Sequence, residues 1–359
     1  MNPNEHELRY PWPDVPALGT WATLRPGVHW VRMPLPFALD HINLWVLDDE
    51  IDGRAGWTAI DSGISNDITM QAWEQIFDGA FGGRPLVRLL CTHFHPDHFG
   101  LAWWLAAGGA RARWTAPLWM SATESAFGRV LSLGADQTTG DAAANHFARN
   151  GLDDADALAK VRARGSGHYP KLVPSFPSSF RRVQDGDEIA IGPPHAKRVF
   201  RAIVGFGHAP EHVSLYCGQD KLLISGDMVL PRISTNVSVF DLEPDGNPLP
   251  RYLHSLDRLL LLPSDTLVLP SHGKPFTGLH QRIAQQHAHH AERLAEVLDA
   301  CATPQTAASI VPVLFKRALD LHQTTFALGE ALAHLHALWH EGKVTRRLDE
   351  GGVYRFTAA

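Results

Sequence analysis

The chain has 359 residues, a formal net charge of -6, 45% hydrophobic and 19% charged residues, and 21 histidines. This composition excludes an intrinsically disordered chain. With 7 lysines against 25 arginines and an acidic balance, it argues against a protein whose main partner is nucleic acid or an anionic membrane.

The polar, Pro-rich start MNPNEHELRYPWPDVP lacks the apolar stretch of a signal peptide, and no run reaches the ~18 apolar residues of a membrane span. Cys91, Cys217 and Cys301 lie far apart without a CxxC, so no disulfide scaffold is expected and the cytoplasm is the expected compartment. GVHWVRMPL, HINLWVLDD and GWTAIDSG, within residues 27–63, read as strands separated by turn residues. Asp67 to Ala80 carries Met70, Trp73, Ile76 and Phe77 at helical spacing, closed by Gly82-Gly83. PLVRLLCTH is a buried strand with His93 just beyond its end, and Leu101 to Ala107 reads as a short helix. Residues 116–180 change character. An amphipathic stretch from Leu118 to Leu133, Gly/Asp/Ala-rich segments and HYPKLVPSFPSSF predict a helical insertion, not sheet. Strands resume from Phe180 with RVFRAIVGF, VSLYC and KLLISGD, followed by a helix around Tyr252 to Leu261 and the strand TLVLPSHG. From His280 the pattern is helical, with a stop and restart at Thr303-Pro304, and RRLDEGGVYRFT reads as a hairpin around Gly351-Gly352. Length and pattern together give a large domain over residues 1–279 and a small winged-helix-like module over 280–359.

The strongest chemical signal is THFHPDH, residues 92–98, directly after a buried strand. It offers His93, His95, Asp97 and His98, and imidazoles and carboxylates are ligands for zinc and related first-row metals. His208, Asp227, His272 and Asp61 each end an apolar run, the place where α/β proteins collect functional groups.

The ordered set Asp61, His93-x-His95-x-Asp97-His98, His208, Asp227 and His272 resembles the metallo-β-lactamase-fold hydrolase superfamily over about residues 25–280. The resemblance implies an α/β fold, an αββα sandwich with its site at one edge. It implies two divalent metal ions, zinc first, with iron or manganese as alternatives. His93, His95 and His208 would hold the first ion, and Asp97, His98 and His272 the second. Asp227 would bridge them and Asp61 would orient the site. The full set is similar to the glyoxalase II-like branch, which acts on thioesters and esters. The β-lactamases of the common type have Cys at the position of Asp227, which disfavours antibiotic hydrolysis. Two departures bear on loop shape and substrate choice: Ala209-Pro210-Glu211 stands where the family usually has Ser/Thr-Pro-Gly, and Ser271 where it has Gly. The C-terminal helices and hairpin are similar to those of the β-lactamase-like 2 hydrolases.

On that resemblance, a metal-bridging hydroxide attacks an acyl carbonyl, and the catalytic set is Asp61, Asp97, Asp227 and His212. His212 is either a donor or proton relay, or a hydrogen-bonded structural residue. Trp119, Phe127, Phe147, Tyr169 and Phe176 either line an acyl pocket or form the insertion's own core. Lys160, Arg162, Arg164 and Lys171 either meet an anionic substrate or form a solvated helix face. Winged helices often bind nucleic acid, so an RNA endonuclease is one alternative; an iron-dependent oxygenase or oxidoreductase on the same fold is another, and a non-catalytic binding protein a third. Residues 280–359 carry eight basic and eight acidic side chains, and residues 324–341 hold no Lys or Arg. The module is therefore read as structural, shaping the cleft or a homodimer contact, with a small-molecule acyl substrate as partner and neither nucleic acid nor membrane. The eight histidines from His280 to His340 are read as surface residues.

Overall fold

The computed structural model describes residues 2–109, 111–133, 140–165 and 168–359. Two sheets face each other. The first runs in chain order: β1 (Ala22–Arg25), β2 (Val28–Pro34), β3 (His41–Ile51), β4 (Arg54–Ile60), β5 (Leu86–Leu90), β6 (Leu118–Met120) and β7 (Arg181–Arg182). Its first four strands are antiparallel and β4 to β7 are parallel. The second sheet comprises β8 (Glu188–Ile191), β9 (Arg198–Gly205), β10 (His212–Cys217), β11 (Leu222–Gly226), β12 (Leu267–Pro270) and β13 (Phe276–Thr277), in the order β13-β12-β11-β10-β9-β8.

The strands read as near-continuous apolar runs because both faces of each sheet are covered. On β2 and β3, Val28, Trp30, Trp45 and Leu47 point between the sheets, against Phe200, Val213, Leu215 and Ile224. The intervening Val31, Met33, Leu44 and Val46 point outward, against Trp73, Ile76 and Phe77 of α1 (Asp67–Asp78). Asn66 caps α1, accepting from the Thr69 N–H. The second sheet is covered on its outer face by α8 (Pro248–Leu259), α9 (Leu279–Ala300), α10 (Ala307–Leu314) and α11 (Leu321–His340), whose apolar side chains form one cluster with Leu223, Met228 and Val268. The hairpin β14 (Val344–Leu348) and β15 (Tyr354–Ala358) closes the chain.

Two expectations need correction, and a third, the short helix from Leu101, is met by a single turn. Leu118–Met120 is a strand, paired in parallel with β5, and the helix starts only at α4 (Ala122–Ser132). Three residues apolar on both faces carry no periodicity that separates strand from helix. The segment from Leu101 makes a single turn, α3 (Ala102–Leu105), after the one-turn α2 (Pro96–Phe99). The insertion continues through α5 (Gly140–Arg149), α6 (Ala155–Arg164) and α7 (His168–Leu172) before returning to the same sheet edge at β7. Finally, His290, His334 and His336 are fully buried, not on the surface.

Candidate metal centre

Every predicted ligand lies just beyond a strand of the sandwich, at one edge. Asp61 follows β4, and the His93–His98 loop follows β5 and enters α2. His208 is in the turn from β9 to β10, Asp227 follows β11 and His272 follows β12. Turns of short reach therefore bring residues from both sheets to one point.

Among the described residues, the candidate ligand atoms fall into three overlapping groups: His93, His95 and His208; His93, His98 and Asp227; and Asp97, His98 and His272. Within each, the donor atoms lie within 4.8 Å of one another. In the first group His93 Nε2 is 2.9 Å from His95 Nδ1 and 3.2 Å from His208 Nε2. In the third, Asp97 Oδ2 is 3.6 Å from His98 Nε2 and 3.5 Å from His272 Nε2. Asp227 reaches both. Its Oδ1 is 3.5 Å from His98 Nε2 and 3.4 Å from His272 Nε2, and its Oδ2 is 3.4 Å from His208 Nε2.

The outward nitrogens are fixed by partners, which sets which nitrogen faces inward. His208 Nδ1 donates to the Asn236 carbonyl (2.8 Å) and His272 Nδ1 to the His41 carbonyl (2.7 Å). His98 Nδ1 meets Asp61 Oδ2 at 2.8 Å, while Asp61 Oδ1 accepts from the Thr92 N–H at 2.7 Å. Asp61 adopts φ 63°, the left-handed region that non-glycine residues rarely occupy. His212 accepts the Asp227 N–H at Nε2 (3.1 Å), so that nitrogen carries no proton and the ring fixes the Asp227 backbone. Gly226 permits this approach, since a Cβ there would overlap the His212 imidazole.

The donor chemistry fits divalent cations. His98 Nε2 and Asp227 Oδ1 are buried without a hydrogen-bond partner, which is costly unless a cation or ligand takes them up. Burial disfavours charge on His272, but the Asp227 and Asp97 carboxylates outweigh it and push the imidazole up to about 10. His98 rises well above its usual range by the same balance. Burial and neighbouring imidazoles, by contrast, hold His93 far below that range, and burial, foremost, brings His95 down to about 3. The carboxylate side of the cluster thus demands positive charge, and the imidazole side offers neutral donors, the two requirements of a metal site.

Sequence profiles accord with this geometry. The metallo-beta-lactamase superfamily profile matches residues 39–272, which spans every ligand above. The chain belongs to the metallo-beta-lactamase superfamily. A second profile, the metallo-beta-lactamase-like C-terminal domain, matches residues 294–359. Among solved structures, a beta-lactamase domain protein from Burkholderia ambifaria is 54% identical, with a TM-score of 0.92 over 99% of each chain. A metallo-beta-lactamase family protein from Thermus thermophilus is 27% identical, with a TM-score of 0.76 over 94% of this chain and 100% of the other. Of the curated relatives from Bacillus subtilis, "Probable metallo-hydrolase YqgX" is 28% identical over 54% of this chain and 70% of its own. "Probable metallo-hydrolase YqjP" is 28% identical over 41% of this chain, and the match spans 47% of that protein. Both curated relatives carry the name probable metallo-hydrolase, and the superfamily fold implies divalent metal ions.

Several contributors escaped the sequence reading. His41 holds the site twice, through its carbonyl to His272 and through Nε2, which accepts the Gly273 N–H at 2.7 Å. Asn236 acts through its carbonyl, which any residue would supply. Glu124, the one acidic residue of α4, is completely buried, and its charge on an apolar face was the available signal. Of the aromatic candidates, Trp119 lies in the core between the sheets and Phe176 stacks on Phe99 in the outer core. Phe127 and Tyr169 flank Phe94, with ring centroids 6.2 and 6.0 Å away. Lys160 and Lys171 line one pocket with His168 and Leu321, while Arg162 faces Asp141 at 3.3 Å; the Arg164 side chain lies outside the described residues.

Proposed function

We propose that this protein is a binuclear metal-dependent hydrolase of thioester or ester substrates. The observation that carries this reading is the reach of Asp227, whose two carboxylate oxygens address the two ligand sets separately. His93, His95 and His208 would hold one ion, Asp97, His98 and His272 the other, with Asp227 shared. Ions bound there would lower the pKa of water from ~15.7 toward ~7 and polarise a carbonyl. The chain's own residues fix the donors. The backbone carbonyls of His41 and Asn236 take the outward protons of His272 and His208. Asp61 holds the outward proton of His98, and the neutral His212 ring keeps the Asp227 backbone in place.

Phe127 and Tyr169, beside Phe94 in the ligand loop, offer apolar surface to an acyl group. A pocket of about 290 Å³ between α6, α7 and α11, lined by Lys160, His168, Lys171 and Leu321, would suit an anionic portion of such a substrate. Of the two hairpin arginines that bear on the nucleic-acid alternative, Arg346 and Arg347, the first is already engaged. Arg346 is paired with Asp245 at 2.7 Å and stacked on Trp339 at 3.8 Å, so it is not free to take a phosphate.

Protein purified without chelator is expected to hold about two divalent ions per chain by elemental analysis. It should hydrolyse members of a panel of acyl thioesters, esters and lactones in preference to phosphodiesters and RNA. Asp227→Ala should abolish turnover and lower the metal content. A metal content near zero, cleavage of RNA alone, or oxygen consumption by an iron-loaded protein would overturn the reading.

A further inference from the structure

The insertion is tied to the ligand loops by two carboxylates. Glu124, in the first turn of α4, has no exposed surface. Its Oε2 accepts from the Phe94 N–H at 3.0 Å and its Oε1 from the Glu211 N–H at 2.6 Å. Phe94 lies between His93 and His95, and Glu211 lies between His208 and His212. One side chain therefore spans the two loops that deliver every ligand of the first set. Glu211 answers in kind. Its Oε2 accepts from the Thr123 N–H at 3.1 Å, one of the free amides of the α4 first turn, where the Ser121 side chain makes no capping bond. The Phe94 carbonyl is held from the insertion as well, accepting from the Tyr169 hydroxyl at 2.6 Å. Gly128 lets α4 come this close, because a Cβ there would crowd Phe176, Phe94 and Tyr169.

The Glu124 carboxyl group costs free energy to bury, and its geometry suits one task. Two N–H donors converge on Glu124, one at each carboxyl oxygen, whereas an amide would turn an NH₂ toward one of them. The α4 N-terminus adds its favourable dipole. The second ligand set is held by other means, through Asp61 and the His41 carbonyl.

We propose that Glu124 and Glu211 are positioning residues, a reciprocal clamp by which the insertion sets the spacing of His93, His95 and His208 for the first metal ion. This rests on the two-ion reading above. It also gives Glu211, where the resembling family usually has Gly, a specific role in joining the insertion to the ligand loop.

The test is zinc titration of chelator-stripped protein against a competing chelator, in backgrounds that isolate each set. In His272→Ala the first set remains, and adding Glu124→Gln should weaken zinc binding by at least about tenfold. In His208→Ala the second set remains, and Glu124→Gln should change its affinity less than about twofold. Amide hydrogen exchange at residues 92–95 and 209–212 of the metal-free protein should accelerate in Glu124→Gln while distant strands keep their protection. Equal weakening of both sets, or an unchanged first set, overturns the clamp. If Glu124→Gln does not fold, Glu211→Ala carries the same expectation with a smaller drop confined to the first set, and no drop there is equally decisive against it. Wild-type protein that binds none of zinc, iron and manganese would instead sink the metal-hydrolase reading itself.

Discussion

Asp61 shows how much one side chain contributes to this centre. It occupies a left-handed backbone position, accepts from the Thr92 N–H and faces His98 Nδ1. Asparagine tolerates that backbone region, so Asp61→Asn should fold, yet it removes the charge that holds His98 with Nε2 toward Asp97 and Asp227. Zinc affinity of the second set should fall about 10–100-fold, read by competitive chelation in the His208→Ala background, and an unchanged affinity would refute the role. The candidate ligand cluster was legible in the sequence because metal-binding chemistry requires His and Asp, and because each residue closes an apolar strand. Their supports were far less so. A carbonyl such as that of Asn236 leaves no mark on residue identity, and Glu124 reaches Phe94 across 30 positions of chain that only the insertion's fold brings together.

At the scale of elements, strands and long helices followed from periodicity, while the short parallel strand β6 and the environment of α11 did not. Residues 327–338 of α11 are buried apart from Glu330, since the helix packs on α8, α9, α10 and the terminal hairpin. A helix enclosed on nearly all sides shows no polar face to read, so its histidines looked like surface residues. Their burial has a consequence for acid stability. Burial is the chief cause that holds His334 and His336 down to about 4, and His290 down to about 2. The unfolded chain therefore takes up protons that the folded chain refuses. The stability contributed by neutral burial is complete above the ordinary histidine value of about 6.5 and is lost as pH falls toward 4. His290 Nδ1 and His334 Nε2 face each other at 3.3 Å, so the double variant His290→Leu/His334→Leu removes both partners together. Between pH 7 and pH 4.5 the metal-free variant should lose several degrees less in Tm than metal-free wild type. Parallel Tm profiles would show that these rings do not drive the acid transition.

The outer face of the second sheet and the C-terminal helices share one core, although two sequence profiles divide the chain. One apolar cluster runs from Leu8 through Leu223 and Met228 of the second sheet to Leu256 of α8 and on to Val297, Ile310 and Leu332 of the C-terminal helices. The C-terminal helices also touch the metal centre at one remove. The Val239 N–H donates to the Gly329 carbonyl of α11 at 3.1 Å, and three residues earlier the Asn236 carbonyl holds His208. Removing the C-terminal segment would expose the outer face of the second sheet and release that loop, so the chain should unfold as one cooperative unit. The distribution of tryptophan makes this testable. Of eleven tryptophans all but Trp339 lie at or before Trp119, so fluorescence reports the first sheet and its covering helices. Far-ultraviolet ellipticity draws heavily on α8, α9 and α11, on the opposite side. Denaturant unfolding of the metal-free chain followed by both signals should give coincident midpoints, and a chain ending at residue 293 should be insoluble or unfolded. An ellipticity transition that precedes the fluorescence transition, together with a soluble truncated chain that still binds zinc at the first set, would mean that the shared core and the Gly329 contact are dispensable and that the C-terminal helices form a separate folding unit.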